Sequence, residues 1–120
     1  MHQLHIESES IRESEILHLT GAVDFSSFPG LAIVLNTLLD RGTPKVVLEC
    51  RALNYIGSAE LKELLNLAHI ARAQGGDIKC VRLAPTIEQV ATLISNGDPL
   101  ECFPDVEDAL ASFRTTPVAA

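Results

Sequence analysis

Apolar and polar residues alternate along two short segments near the start of the chain. Leu4 and Ile6 alternate with polar neighbours in the first segment, and two leucines occupy the apolar positions of the second. A period of two residues is typical of a half-buried β-strand. The pattern predicts strands at residues 4–8 and 15–20, joined as a hairpin by the polar segment between them.

Apolar residues at helical spacing follow a predicted loop at residues 21–27. Ser26 or Ser27 is suited to cap this helix, because a hydroxyl can accept a hydrogen bond from a free backbone N–H of the first turn. Pro29 suits the first turn as well. Gly42, which is followed shortly by a proline, predicts the end of the helix.

Three further segments carry the same helical spacing. The second helix is predicted at residues 59–74 and ends at Gly75. The third opens with Thr86 and Gln89, whose spacing is that of a capping box. Asp105 is suited to cap the fourth. The chain therefore contains four predicted helices.

The segments between the helices favour β-strands. Residues 45–50 carry an unbroken apolar run, which is typical of a central strand covered on both faces. Residues 77–83 and the pair Cys102–Phe103 complete the predicted strands. This order predicts one α/β domain over residues 1–114, with a small mixed sheet and about four helices mainly on one face. We expect residues 115–120 to form a flexible C-terminal tail.

Charge narrows the class of partner. The chain of 120 residues has a formal net charge of -7, with nine Lys and Arg against sixteen Asp and Glu. Because an acidic surface repels phosphate groups, nucleic acid and anionic membrane surfaces are poor partners. No apolar run is long enough to cross a bilayer, and the first residues lack the segments of a secretion signal. We therefore expect a cytoplasmic protein, and the charge is compatible with a protein partner that has a basic or mixed face.

Neither the cysteines nor the histidines have the spacing of a metal site. The three cysteines form no C-x-x-C pair and are expected to be buried free thiols; they are Cys50, Cys80 and Cys102. The four histidines are expected to face solvent or to bond locally; they are His2, His5, His18 and His69. The sequence predicts no bound metal and no disulfide.

Catalytic motifs are also missing from the sequence. No nucleophile elbow, Walker loop, dinucleotide-binding fingerprint or zinc-protease motif is present. The acidic residues of the hairpin are expected to form a solvated face. We therefore expect neither catalysis nor a cofactor. The alternative from another class is a hydrolase built on Ser58 or Cys50, for which no general base is recognisable in the sequence.

Residues 54–61 join the buried central strand to the second helix. In open α/β sheets the carboxyl end of a central strand is where ligands and partners are presented. Gly57 permits a tight turn, Ser58 is suited to the N-cap, and Glu60 interacts favourably with the helix dipole. Two interpretations are open for this segment: plain helix capping, and phosphate binding at the helix N-terminus.

The chain resembles the STAS domain, the family of bacterial anti-sigma factor antagonists and of the cytoplasmic tails of sulphate transporters. The resemblance covers residues 4–114 and depends on the order and spacing of several short segments. These are residues 19–24, 46–49 and 55–61, the pair Gly75 and Gly76, and residues 105–110. The resemblance implies a small mixed sheet with helices on one side.

Members of this family dock on a partner, often an anti-sigma factor that is also a Ser/Thr kinase, and docking releases the sigma factor. The partner phosphorylates an Asp-Ser-Ser/Thr-Gly motif at the start of the second helix. In this chain Gly57 stands in place of the Asp, and Ser58 matches the first Ser. Ala59 replaces the usual phosphoacceptor, and Glu60 replaces the Gly. Asp24 matches an acidic residue of the neighbouring loop.

Three hypotheses follow from the resemblance. In the first, the protein docks on an anti-sigma factor with a kinase-like ATPase domain and is not regulated by phosphorylation at Ala59. Alanine then leaves it permanently competent to bind, unless the fixed carboxylate of Glu60 resembles the phosphorylated form. In the second, Ser58 is the phosphorylated residue. In the third, the chain is a scaffold or accessory subunit of a sensory or transport complex that responds to a nucleotide or another ligand.

The resemblance places the partner-binding surface at the N-terminus of the second helix and the adjacent loop. Its expected residues are Asp24, Gly57, Ser58, Ala59, Glu60 and Lys62. Leu61, Leu64 and Leu65 are expected to face the core instead. The resemblance is also compatible with a homodimer.

Overall fold

The computed structural model describes residues 3–114, which form five strands and four helices. The strands are β1 (Leu4–Ile11), β2 (Ser14–Val23), β3 (Lys45–Ile56), β4 (Asp77–Val81) and β5 (Cys102–Phe103). The helices are α1 (Phe28–Asp40), α2 (Ser58–Ala73), α3 (Pro85–Ile94) and α4 (Val106–Arg114). Each predicted helix and strand is present in the predicted order. His2 and the predicted tail at residues 115–120 lie outside the described residues.

One mixed sheet holds all five strands in the order in which they follow along the chain. β1 and β2 pair antiparallel, with Ile6 opposite Leu19, and so form the predicted hairpin. The remaining neighbours pair in parallel, from β2 to β5. The α/β fold with a mixed sheet is confirmed.

Three strands are longer than their apolar pattern predicts. β1 continues to Ile11, because residues 9–11, expected to belong to the connection of the hairpin, pair with the start of β2. β2 continues to Val23, and β3 continues to Ile56, because the two strands stay paired to their ends, where Val23 lies opposite Ile56. The expected loop at residues 21–27 therefore begins only after Val23. Gly21 permits this extension: its φ of 110° is left-handed, and a Cβ there would collide with the backbone oxygen of Gln3.

The sheet is covered on both faces, unequally. The larger core packs α1, α2 and α3 against one face, with Leu35 and Leu64 among its fully buried side chains. α4 covers the opposite face, where Ala109 packs on Ile16 and Val47. Three helices on one face and one on the other agree with the predicted arrangement. They also explain the unbroken apolar run of β3, which is buried on both sides.

Helix starts were predicted less well than helix positions. Asp105 accepts a hydrogen bond from the Asp108 N–H at 2.8 Å, as expected of a cap. The predicted capping box of Thr86 and Gln89 is wrong, because α3 begins at Pro85 and no side chain caps it. Proline has a fixed φ that suits the first helical turn, so Ala84 is the N-cap, the helix starts two residues earlier than predicted and Thr86 lies inside it.

The cysteines and three of the histidines lie where the sequence predicted. All three cysteines are free thiols; Cys50 and Cys80 are buried and Cys102 is partly buried. The described histidines pair with nearby carboxylates; the pairs are His5 with Glu7, His18 with Glu9, and His69 with Asp98. Within residues 3–114 no group of His, Cys, Asp and Glu is arranged to hold a metal ion. In the same range no helix has the length and apolar character required to span a bilayer.

Lys79 is buried, although charged residues usually face solvent. It lies in β4 with 3% of its surface exposed, beneath α4. Its ammonium donates a hydrogen bond to the Ser112 hydroxyl at 2.6 Å and lies 3.4 Å from a carboxylate oxygen of Glu101. It also stands 4.4 Å from the ring centre of Phe113, within the range of a cation–π contact. These partners compensate for the removal of the charge from water.

Candidate functional site

The carboxyl ends of β2 and β3 meet at the N-terminus of α2. The Gly57 N–H donates a hydrogen bond to the carbonyl oxygen of Val23 at 3.0 Å, which holds the carboxyl ends of β2 and β3 side by side. Asp24 directly follows one strand and Gly57 directly follows the other. The structure therefore brings together the loop and the helix start that the sequence placed in one surface.

The side chain of Asp24 holds the loop between β2 and α1. Its Oδ1 accepts hydrogen bonds from the Ser26 hydroxyl at 2.9 Å and from the backbone N–H groups of Ser26 at 3.0 Å and Ser27 at 2.9 Å. The Ser26 hydroxyl, followed by the Ser27 N–H, lowers the pKa of Asp24. The carboxylate is therefore ionised at neutral pH, which is the form that best accepts these three hydrogen bonds.

The Ser27 hydroxyl also belongs to this loop rather than to a helix cap. It accepts a hydrogen bond from the Asp24 N–H at 2.9 Å and donates one to the Ala22 carbonyl at 2.8 Å. Ser27 occupies the N-cap position of α1 without a side-chain capping bond. The predicted position of this cap is confirmed, while its hydroxyl ties the loop to the end of β2.

The first turn of α2 presents its side chains to solvent. Ser58, Ala59 and Lys62 are exposed, Glu60 is half-buried, and Gly57 is buried. The predicted N-cap at Ser58 is wrong: Gly57 has extended backbone angles and occupies the N-cap position, so Ser58 is the first helical residue. The Ser58 hydroxyl is therefore exposed on the first turn.

Two exposed aromatic residues lie in the chain segments that meet at this site, one in the β2–α1 loop and one near the end of β3, and the sequence analysis missed them. Phe25, next to Asp24, has 86% of its surface exposed, and Tyr55, two residues before Gly57, has 49% exposed. The chain contains only four Phe and one Tyr. One Phe in the predicted loop and the Tyr beside the predicted start of α2 were therefore a signal that the sequence offered. Aromatic side chains are typical anchors of protein–protein interfaces.

The chemistry of this surface suits contact with another macromolecule. It combines exposed aromatic rings with the fixed carboxylate of Asp24, the carboxylate of Glu60 and the ammonium of Lys62. Position 59 holds a methyl group, which cannot accept a phosphoryl group. Leu61, the next residue of the helix after Glu60, is 1% exposed and belongs to the core, as predicted.

Comparison with known proteins identifies the family. The family model of the STAS domain matches residues 5–109. No curated protein is significantly similar in sequence to this chain. Among solved structures, an anti-sigma factor antagonist from Mycobacterium paratuberculosis has a TM-score of 0.80 at 20% identity, covering 92% of this chain and 94% of that one.

Two further structures share the fold. The anti-sigma factor antagonist SpoIIAA in its unphosphorylated form has a TM-score of 0.75 at 16% identity, covering 93% of this chain and all 100% of that one. The murine anion transporter Slc26a9 has a TM-score of 0.62 at 18% identity, where the match covers 90% of this chain and 19% of the transporter. The family match and the shared fold lead to one conclusion: the chain belongs to the STAS domain family.

Proposed function

We propose that this STAS domain is a docking module of the anti-sigma factor antagonist kind. The proposed surface consists of the β2–α1 loop and the first turn of α2. The observation that carries the proposal is that Phe25 and Tyr55 are exposed in the two chain segments that meet at the start of α2. In a chain with so few aromatic residues, two exposed ones at the end of adjacent strands are better explained by a partner than by the core.

The charges of the loop and of the first turn of α2 support a protein partner with a basic or mixed face. Asp24 and Glu60 supply carboxylates, and Lys62 supplies the exposed ammonium of the same turn. Charged groups around an aromatic centre are the usual anatomy of an interface, with the rings buried on binding and the charges at the rim. The chain's net charge of -7 favours the same class of partner.

In this proposal the partner is an anti-sigma factor with a kinase-like ATPase domain, and docking releases a sigma factor in the cytoplasm. The protein itself catalyses no reaction and needs no cofactor. The family membership and the fold shared with anti-sigma factor antagonists support this choice of partner. Because Ala59 has no hydroxyl, the usual phosphorylation at this position is lost.

Direct binding tests the proposal. Each anti-sigma factor kinase of the source organism is purified and titrated with the protein by calorimetry. We expect one of them to bind wild type, and Phe25→Ala to weaken that binding about tenfold or more. The matched control is Leu93→Ala, which removes an equally exposed apolar side chain from α3, outside the proposed surface.

Two results would contradict the proposal. One is that none of the kinases binds wild type at the concentrations used in calorimetry. The other is that Leu93→Ala weakens binding as much as Phe25→Ala does.

Incubation of the bound pair with Mg-ATP, followed by mass spectrometry, adds a second readout: we expect no phosphate on Ser58. Variants of Leu61, Leu64 and Leu65 are unsuitable for these tests, because these side chains are buried in the core.

A further inference from the structure

The side chain of Glu60 fills the space beside Gly57 where a side chain of residue 57 would lie. A Cβ added to Gly57 would collide with the Oε1 atom of Glu60 and would lie 3.1 Å from its Cδ. The Tyr55 hydroxyl lies 3.5 Å from the same point. The carboxylate of Glu60 therefore bends back over the N-cap residue, and the absence of a side chain at residue 57 leaves room for it.

This arrangement is a known property of helix starts. Gly57 is the N-cap of α2 and Glu60 is its third helical residue. A glutamate at that position can turn back toward the N-cap, and its negative charge is favourable beside the free N–H groups of the first turn. An acidic side chain on residue 57 would begin in the space that the Glu60 carboxylate now fills.

The two positions also carry exchanged residue types. The family motif, Asp-Ser-Ser/Thr-Gly, places its acid at the N-cap and its glycine three residues later. This chain reads Gly57, Ser58, Ala59, Glu60, with the glycine first and the acid last. A second carboxylate at residue 57 would repel that of Glu60 and force it to turn away from the N-cap, and loss of Glu60 would leave the first turn of α2 without an acid.

We propose that Glu60 supplies the carboxylate that the family motif places at residue 57, so that the exchange of Gly57 and Glu60 preserves the unmodified motif. One carboxylate remains at the helix start, which is the charge of the motif before phosphorylation. A phosphate would add about -1.5 to -2 further charges. With Ala59 unable to receive it, the site stays permanently in its binding-competent state. The statement about binding depends on the proposed function; the exchange itself does not.

A double-mutant cycle tests the exchange without any partner. The four proteins are wild type, Gly57→Asp, Glu60→Gly and the double variant, and the free energy of unfolding is measured in denaturant. Because two carboxylates would compete for the N-cap in Gly57→Asp alone, we expect this change to be more favourable in the Glu60→Gly background than in wild type, with a coupling of about tenfold in the unfolding equilibrium constant. If Gly57→Asp does not fold, Gly57→Ala replaces it, since this change adds only the Cβ.

Glu63→Gly provides the matched control. It introduces glycine at an exposed glutamate of the same helix, so it costs the same helix propensity without touching residue 57. Its effect should simply add to that of Gly57→Asp. If the effects of Gly57→Asp and Glu60→Gly add in the same way, residues 57 and 60 are not exchanged partners and the proposal is wrong.

The binding arm uses the anti-sigma factor kinase identified by calorimetry. Glu60→Gly should weaken binding about tenfold, and the double variant should return to within about threefold of wild type. Glu63→Gly should bind like wild type. If Glu60→Gly binds as tightly as wild type or more tightly, the carboxylate does not support binding and the proposed state is wrong. If wild type binds no kinase, the proposed function fails, while the unfolding cycle still decides the exchange.

Discussion

Asp24 shows how one side chain serves the surface indirectly. The sequence predicted it as a contact residue, and the structure adds that its Oδ1 fixes the loop that carries Phe25. The aspartate could be located from sequence, because it matches an acidic loop residue of the family that the chain resembles. Its hydrogen bonds could not, because they depend on the path of the loop between two elements.

The pKa of Asp24 leads to a prediction of pH dependence. The Ser26 hydroxyl and then the Ser27 N–H lower this pKa, so the folded state favours the ionised carboxyl. The resulting stabilisation is present above the pKa of the unfolded chain, about 3.9, and is lost as the pH falls through the lower, folded value. We expect Asp24→Ala to be less stable than wild type at pH 7 and the difference to shrink below pH 4.

Denaturant unfolding at a series of pH values measures this difference. Asp40→Ala is the control, because it removes another exposed aspartate. A gap between wild type and Asp24→Ala that stays constant, or grows, as the pH falls would contradict the prediction.

The thiols lead to a second prediction at this scale. Cys80 and Cys102 are direct neighbours on parallel strands, and the hydrogen bond to Cys80, followed by burial, raises the pKa of the Cys102 thiol far above its usual value. Since the thiolate is the reactive form, we expect Cys102 to react slowly with iodoacetamide at pH 8. Mass spectrometry should show labelling only after unfolding in denaturant, and rapid labelling of the native protein would contradict this.

The burial of Lys79 could not be predicted from its own position in the sequence. The strand pattern places Ile78 and Cys80 toward the main core and therefore Lys79 on the opposite face, where a lysine is expected to meet water. Its burial follows only from α4, which folds back over it from residues far along the chain.

At the scale of elements, apolar periodicity predicts the type and order of the helices and strands, while their ends depend on contacts distant in sequence. β3 was expected to stop at Cys50, where the two-sided apolar run ends. Beyond that point Leu53 and Ile56 still face the core while Arg51 and Asn54 are exposed, so the strand continues with one face in water. Pairing with β2 stabilises this extension. The apolar pattern of residues 51–56 alone does not predict it.

Arg72, in the last turn of α2, joins this helix to the start of β4 and to the loop between α3 and β5. Its guanidinium donates to Asp77 at the start of β4 at 2.9 Å, to Asp98 at 2.9 Å and to the Pro99 carbonyl at 2.8 Å. Burial raises the pKa of Asp77, and the positive charge of Arg72 opposes that rise. The arginine therefore allows a largely buried carboxylate to remain ionised.

We expect Arg72→Met to lower the free energy of unfolding by about 2 kcal/mol at pH 7, because it leaves the Asp77 carboxylate without its partner. A carboxyl whose folded pKa is raised is destabilising when ionised, so this deficit should become smaller as the pH falls and Asp77 is protonated. Unfolding curves between pH 4 and 8 measure it. In the Asp77→Asn background the pH dependence of the Arg72→Met effect should largely disappear; if it persists unchanged, the assignment to Asp77 is wrong.

At the scale of the whole molecule, the net charge of -7 shapes how the protein meets its partner. Long-range attraction raises the association rate and is screened by salt, whereas close contacts determine dissociation. We expect the association rate constant with the anti-sigma factor kinase to fall when NaCl rises from about 50 to 500 mM, with little change in dissociation. Surface plasmon resonance separates the two rates. An association rate that increases with salt would indicate an acidic partner face and contradict the expected charge complementarity.

The strand order of the sheet has a consequence for synthesis on the ribosome. Each strand pairs with the strand made just before it, so no later strand has to enter between two that are already joined. As the chain emerges, the hairpin can form first, and each strand that follows, beginning with β3, finds its neighbour in place. α4 arrives last and covers Ile16, Val47 and Val81. The sheet can therefore form in the order in which its strands are translated. The smaller apolar cluster beneath α4 becomes buried only after α4 has been synthesised.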